Sequence, residues 1–386
     1  MTIDLAQSPF WLVVAAAVVV LTPLTHGGGR RWALALLNAS LLFLLLRTWA
    51  LVILAGALAA LVLARIVGRR QGLVGTALLA LGSIALLALF IIHKRPELAS
   101  AAHAGWLSPL LVAVGFSYVS LRVIELWRAA FEERLEKIGL AGAVNYLLPF
   151  HMLAAGPIQS YDDFVAQPAV PDRLSFDQVL DAVGRIVWGL FKKYVLAHCV
   201  MQLGSTSWHA SGPYHFLELH LQYLYLYLDF SAYSDIAVGV GTLIGVLTPE
   251  NFNHPYLARN ITEFWERWHI SLSMWLRRNL FMPMQLAMAR RDVGPLTSAV
   301  IAIGITFLIC GAWHALTVGF LFWGLYQAAG LIVCHFYGTM LRKYLGGPGF
   351  KRYHANLPIR IVSTIITIEF FTYSLLLVGM PWRSTW

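Results

Sequence analysis

The chain has 386 residues, 59% of them hydrophobic and only 12% charged, a composition that excludes an ordinary soluble domain. Its formal net charge of +9 does not call for nucleic acid, because Lys and Arg gather at the cytoplasmic ends of membrane helices and beside anionic headgroups. Three cysteines, Cys199, Cys310 and Cys334, lie far apart and mostly in apolar runs, so they suggest neither a disulfide framework nor a zinc site.

Apolar runs are predicted at about 10–24, 32–46, 49–64, 73–92, 106–121, 141–158, 178–203, 216–247, 296–316, 317–336 and 359–380. Such runs approach the roughly 17–25 residues that carry a helix across a bilayer core. A transmembrane β-barrel would show short alternating segments instead. The expectation is all-α: one polytopic membrane domain over 1–386, without an internal repeat or a separate soluble part. The first run follows Met1-Thr2-Ile3-Asp4, which lacks a basic residue, and reads as a retained membrane helix rather than a cleaved signal.

Basic residues alternate in density between the early runs. Arg30, Arg31, Arg65, Arg69, Arg70, Arg122, Arg128, Arg134 and Lys137 fall on one side, and Arg47, Lys94 and Arg95 on the other. The richer side is cytoplasmic, which puts the N-terminus outside. The run 141–158 contains Asn145, Pro149, His151, Gly156 and Pro157, so it is expected to be broken or re-entrant and to line a cavity. The segment 280–289 is too short to span and is expected to lie at the interface or dip into the membrane.

Asp229-Phe230-Ser231-Ala232-Tyr233-Ser234-Asp235 puts two acids inside an apolar run, for helix packing or for lining a cavity. Tyr223, Tyr225 and Tyr227 read as belt or packing residues. Then comes Asn251-Phe252-Asn253-His254-Pro255-Tyr256, followed by Phe264-Trp265-Glu266-Arg267-Trp268-His269-Ile270-Ser271-Leu272-Ser273-Met274-Trp275. The arginines of 248–278 place that loop in the cytoplasm. Thr262 with Glu263 reads as a helix start, and the face of Trp265, Trp268, Leu272 and Trp275 as that of an interfacial amphipathic helix. His314 follows in Gly311-Ala312-Trp313-His314.

Ionisable groups at membrane depth are costly and usually functional, so His314 and His269 are the candidate catalytic pair. The eighteen residues from Leu296 to His314 advance about 27 Å if helical, which predicts the two histidines at opposite ends of one buried passage. A neutral imidazole suits general-base attack by a hydroxyl, and acyl transfer from a thioester needs little more than that base, a positioned carbonyl and a polarising donor. No Gly-x-Ser-x-Gly elbow is present. Cys310, one turn before His314, reads as a core filler more readily than as a nucleophile. Either histidine also reads as a satisfied polar group, and His151, His198, His209, His215, His220, His254 and His335 lean that way. No carboxylate-rich ligand set points to a metal.

These motifs, together with Phe322-Trp323-Gly324-Leu325-Tyr326 and a weaker Ala155-Gly156-Pro157-Ile158, resemble the membrane-bound O-acyltransferase (MBOAT) family over about 145–330. The bacterial branch, with alginate O-acetyltransferases and teichoic-acid D-alanyl transfer proteins, is the most similar. The resemblance implies a helical ring around a tunnel, with about ten or eleven spans and re-entrant pieces. It also implies His314 as the catalytic base and His269 as the second signature histidine. A thioester donor, acyl-CoA or acyl carrier protein, would enter from the cytoplasm as co-substrate, with no bound cofactor. An extracytoplasmic hydroxyl would be acylated. Departures fall at Arg277-Arg278-Asn279, where Arg-Asp-Tyr is usual, after Pro283, where a Gly-Gly-Asn-Arg stretch is missing, and at Gln327, where His is common.

The reading is a multi-pass inner-membrane O-acyltransferase of a cell-envelope polysaccharide or related polymer, in contact with membrane lipid and assisted by an esterase-like periplasmic partner. His269, Trp268 and Arg267 shape the donor end. Trp265, Trp313, Asn253, Asp235 and Ser271 are further candidates for substrate contact. A transporter or flippase built on broken helices and buried acids, or a non-catalytic scaffold, is the alternative.

Overall fold

The computed structural model describes all residues except 1–7, 22–23, 25–26, 48, 71, 96, 99–114, 136–137, 168–173, 208–213 and 379–386. Lys137, His209 and most of the expected 106–121 run therefore lie outside the described residues. The chain is all-α. Among the described residues there is no strand, and Phe252 and Trp268 form an isolated antiparallel bridge. Two compact units are present, one within Met1–Leu190 and Tyr233–Pro249, the other within Phe191–Ala232 and Glu250–Ser384.

The first unit begins with α1 (Ser8–Leu21), α2 (Gly28–Leu46), α3 (Trp49–Arg69) and α4 (Leu73–Lys94). It continues with α5 (Phe116–Phe131), α6 (Leu140–Leu147), α7 (Tyr161–Val165) and α8 (Phe176–Phe191). α3 presents Ala57, Ala60 and Ala64 at helical spacing, which lets α5 approach closely through Ala129, Ala130 and Trp127. The Trp127 indole N–H donates to the Ala60 carbonyl at 2.9 Å. On α4, Leu81, Ile84 and Leu87 are exposed three residues apart, forming an apolar stripe of the kind that faces lipid.

The expected break in 141–158 is present. α6 stops before Pro149, and a single 3₁₀ turn, Phe150–Met152, follows. The backbone groups that the break frees are taken up by side chains. Asn38 accepts from the Phe150 N–H at 2.8 Å and donates to Asn145 at 2.9 Å, and Asn145 donates to the Arg31 carbonyl at 3.0 Å. His151 is buried against the Thr248 hydroxyl at 3.1 Å.

The second unit holds a π turn (Lys192–Leu196), α9 (Ala197–Ser207) and the first part of α10 (Tyr214–Leu243), whose last residues belong to the first unit. Then come α11 (Ile261–Arg267), α12 (Ile270–Leu276), a second π turn (Arg277–Phe281), α13 (Met282–Ala289), α14 (Pro295–His314), α15 (Val318–Ala355) and α16 (Leu357–Ser374).

Six helical stretches among the described residues are long and apolar enough to cross a membrane: Gly28–Leu46, Trp49–Arg69, Leu73–Lys94, Pro295–His314, Val318–Ala355 and Leu357–Leu377. The protein is a multi-pass membrane protein. The expected runs 178–203 and 216–247 are helical but carry ionised groups that find partners. Within the first unit, Arg185 pairs with Asp235 at 3.1 Å. Within the second, Lys193 pairs with Asp229 at 2.5 Å, and Lys192 donates to Ser231 at 2.8 Å. Of the two readings of the acids, helix packing accounts for these contacts.

α14 and α15 form an antiparallel hairpin with almost no space between them. A Cβ on Gly311 would collide with the Phe320 carbonyl, and one on Gly324 with the Phe307 carbonyl. Gly311→Ala is expected to cost about 1–3 kcal/mol by overpacking. Thermal melting of the detergent-solubilised chain checks it, and an unchanged midpoint would show that the hairpin relaxes freely.

Candidate active site

The site is built on a broken helix. α11 opens on Asn260, whose side chain accepts from the Glu263 N–H at 2.9 Å; the cap is therefore Asn260, not the expected Thr262. The helix ends at Trp268, and His269 turns the chain with φ 44° and ψ 51°, in the left-handed region that costs a non-glycine residue energy. α12 restarts at Ile270.

A neighbouring peptide holds this turn in place. The Asn253 N–H donates to the Arg267 carbonyl at 2.9 Å, and the Ile270 N–H to the Asn251 carbonyl at 3.0 Å. The Asn251 side-chain oxygen, fully buried, then accepts three times: from His269 Nδ1 at 3.1 Å, the Ser271 N–H at 3.2 Å and the Ser271 hydroxyl at 2.8 Å. An acceptor on Nδ1 fixes the neutral imidazole as its Nδ1–H tautomer and leaves the lone pair on Nε2. Phe230 stands edge-on to the ring with centroids 4.7 Å apart.

Burial, reinforced by repulsion from His314, holds the His269 imidazole well below its ordinary value of 6.5. The folded chain therefore keeps it neutral. Its stabilising contribution is whole above pH 6.5 and is lost as pH falls below it, because the unfolded chain then takes up a proton the folded one refuses. The melting midpoint is expected to drop between about pH 7.5 and about pH 5, and less so in His269→Asn, which tolerates the left-handed turn without titrating. Equal pH slopes in the two chains would remove His269 as the source.

The aromatic face of 261–275 is not interfacial, as the sequence pattern predicts, but buried. Trp265, Trp268 and Trp275 are all shielded by protein. Trp268 stacks on Phe264 at 5.6 Å and on Tyr223 at 6.0 Å, and meets Phe371 of α16 at 5.2 Å. Trp265 packs against Phe307 of α14 at 5.1 Å and Trp323 of α15 at 5.9 Å. Its indole N–H donates to Gln327 at 3.3 Å, and Gln327 in turn donates to Ser374 at 3.0 Å. A row of apolar rings at helical spacing suits a lipid interface and a protein interior equally, and here the interior takes it.

This burial corrects the expected separation of the histidines. His314 ends α14, two turns beyond Phe307, and its ring meets Trp313 at 5.0 Å, Trp323 at 5.4 Å and Phe320 at 5.8 Å. Because Trp265 reaches Phe307 and Trp323, α11 and α12 bring His269 within electrostatic reach of His314, rather than to the opposite end of a passage. His314 is partly accessible, whereas His269 is buried.

The other predicted site residues divide. Trp265, Trp268 and Trp313 stand with the histidines. Ser271 is buried beside His269, with its hydroxyl on Asn251. Arg267 is committed to Glu263 at 2.9 Å and to the Asn253 carbonyl at 3.1 Å. The Glu263 carboxyl, which burial alone would raise, is held below its usual value by hydrogen bonds from Arg259 and Arg267. Asn253 contributes its backbone, and its side chain is exposed. Asp235, in the first unit, pairs with Arg185. Asn251, Phe230, Trp323 and Gln327 also stand here, and none of them is singled out as a site residue by the sequence pattern. Asn251 was within reach, since it opens the motif that contains Asn253.

A protein-family model, that of the membrane-bound O-acyltransferase family, matches residues 33–376. The chain is 30% identical over 275 residues to a teichoic acid D-alanyltransferase of Bacillus subtilis (strain 168), covering 69% of each. It is 31% identical over 233 residues to a peptidoglycan O-acetyltransferase of Helicobacter pylori, covering 57% of this chain and 40% of that one. A probable alginate O-acetylase of Azotobacter vinelandii is 30% identical over 231 residues, with 58% and 44% covered. The chain thus spans less than half the length of the last two. With the match running from α2 through α16 and taking in both histidines, the chain belongs to the membrane-bound O-acyltransferase family.

Proposed function

We propose that the chain transfers an acyl group from a cytoplasmic thioester to hydroxyls of an extracytoplasmic envelope polysaccharide or related polymer, from a place in the inner membrane. The observation that carries this reading is the partly accessible His314 imidazole, walled by Trp313, Phe320 and Trp323 at the end of an apolar span. In the proposed step His314 takes the proton of the acceptor hydroxyl. The oxygen bonds to the thioester carbonyl carbon, the carbon–sulfur bond breaks, and the imidazolium returns the proton to the departing thiolate. His269, Trp268 and Arg267 shape the donor end, and Trp265 and Trp313 wall the path.

The donor is acyl-CoA or an acyl carrier protein, and an esterase-like periplasmic partner assists the chain. Among the relatives, the D-alanyl-transferring protein is matched over most of its length, which favours an aminoacyl group over acetyl. Mass spectrometry of envelope polymers from cells with and without the gene tests the reading. Loss of ester-linked alanine or acetate supports it and names the group. An unchanged ester content, with solute uptake into donor-free proteoliposomes, would make the chain a transporter.

A further inference from the structure

From Val293 to Ile368 the sequence contains no Asp or Glu, yet Arg342, Lys343, Lys351, Arg352 and Arg360 fall within nineteen residues of that stretch. All five are exposed. Among the described residues, no ion pair ties any of them to a carboxylate. The fold gathers them on one feature. α15 turns back at Gly346, whose φ of 63° suits glycine, and Pro348 follows. The returning piece is held to the outgoing one: the Tyr337 and Tyr353 hydroxyls are hydrogen-bonded at 2.7 Å, and the Arg342 guanidinium lies 5.4 Å over the Phe350 ring.

Apolar groups stand exposed among these cations: Tyr337 at 52%, Met340 at 55%, Tyr344 at 78% and Leu345 at 42%. Water solvates such a mixture poorly, and an acidic soluble protein would leave the apolar part uncovered. A bilayer interface satisfies both parts, with phosphates for the cations and the glycerol region for the rings. The hairpin also lies at the end of the spans where α14 begins, because α14 and α15 run antiparallel. Arg290 and Arg291, just before α14, stand at that same end.

We propose that the hairpin Tyr337–Arg360 is a docking surface for the headgroups of anionic phospholipids in the membrane that holds the chain. Its cations bind lipid phosphates, while Tyr344 and Leu345 enter the interface. The site is separate from the histidine chemistry and does not depend on it.

The full chain, purified in neutral detergent, is titrated with phosphatidylglycerol and with phosphatidylcholine, and retained lipid is counted by native mass spectrometry. The wild type is expected to prefer phosphatidylglycerol. In K343Q/K351Q/R352Q that preference falls about tenfold or more, while K343R/K351R keeps it. Equal melting midpoints in the two variants show that the hairpin survives. Should the glutamine variant fail to fold, high salt applied to the wild type must release phosphatidylglycerol and spare phosphatidylcholine. An unchanged preference in the folded glutamine variant, or binding indifferent to salt, overturns the proposal. So does inorganic phosphate bound as tightly as the lipid, or an acidic polyglutamate chain captured through these same residues from phosphatidylcholine nanodiscs.

Discussion

His314→Gln is expected to lower acyl transfer by about 10²–10⁴-fold while the protein stays folded and in the membrane. The size follows from the role: glutamine fills much the same space and remains polar, but it cannot take a proton from an alcohol near neutral pH. The fold tolerates the change because His314 is partly accessible and sits where α14 gives way to Ala315. Its ring contacts with Phe320 and Trp323 are only part of the packing there. The measurement is single-turnover transfer in proteoliposomes with a thioester donor inside and a hydroxyl acceptor outside, alongside melting of the same preparation. Transfer at the wild-type rate by a folded His314→Gln chain would take His314 out of the chemistry. Loss of folding together with rate would instead mark it as structural, and His314→Asn would then be the second chain to examine.

Asn251→Ala has the largest expected effect on stability. One side-chain oxygen accepts from His269 Nδ1, the Ser271 N–H and the Ser271 hydroxyl, all buried. Each buried donor left without an acceptor costs about 1–3 kcal/mol, so the loss is about 3 kcal/mol or more. The left-handed turn at His269 also loses what holds it, and the imidazole is no longer confined to one tautomer. Transfer is expected to fall with stability. Asn251→Asp separates the two effects. It restores an acceptor, recovers most of the melting midpoint, and moves the activity profile to higher pH because a carboxylate favours imidazolium. Full stability in Asn251→Ala would mean that the three donors find other partners.

The helical membrane class and the break at Pro149 were legible in the sequence, because each rests on local rules, and the two histidines stood out there as candidates. Composition sets the solvent, proline removes a donor, and a histidine among tryptophans and apolar runs is conspicuous. What the chain does around His269 was not legible. The turn has an unfavourable backbone conformation, and its support comes from Asn251, eighteen residues earlier. No helix or strand periodicity signals such an arrangement. The distance between the histidines was misjudged for the same reason: it depends on Trp265 entering the bundle against Phe307 and Trp323. Asp235 stood out as a candidate for substrate contact because its partner, Arg185, lies fifty residues away in the sequence.

Two indoles, at Trp313 and Trp323, face the His314 imidazole, and Trp265 packs on Trp323. The protein therefore carries an intrinsic optical reporter where the chemistry is placed. Emission from shielded indoles lies toward the blue, and an imidazolium against such a ring quenches it. Entry of an acyl chain, or arrival of a proton on His314, can then be followed as a change in ultraviolet fluorescence, without attaching a dye.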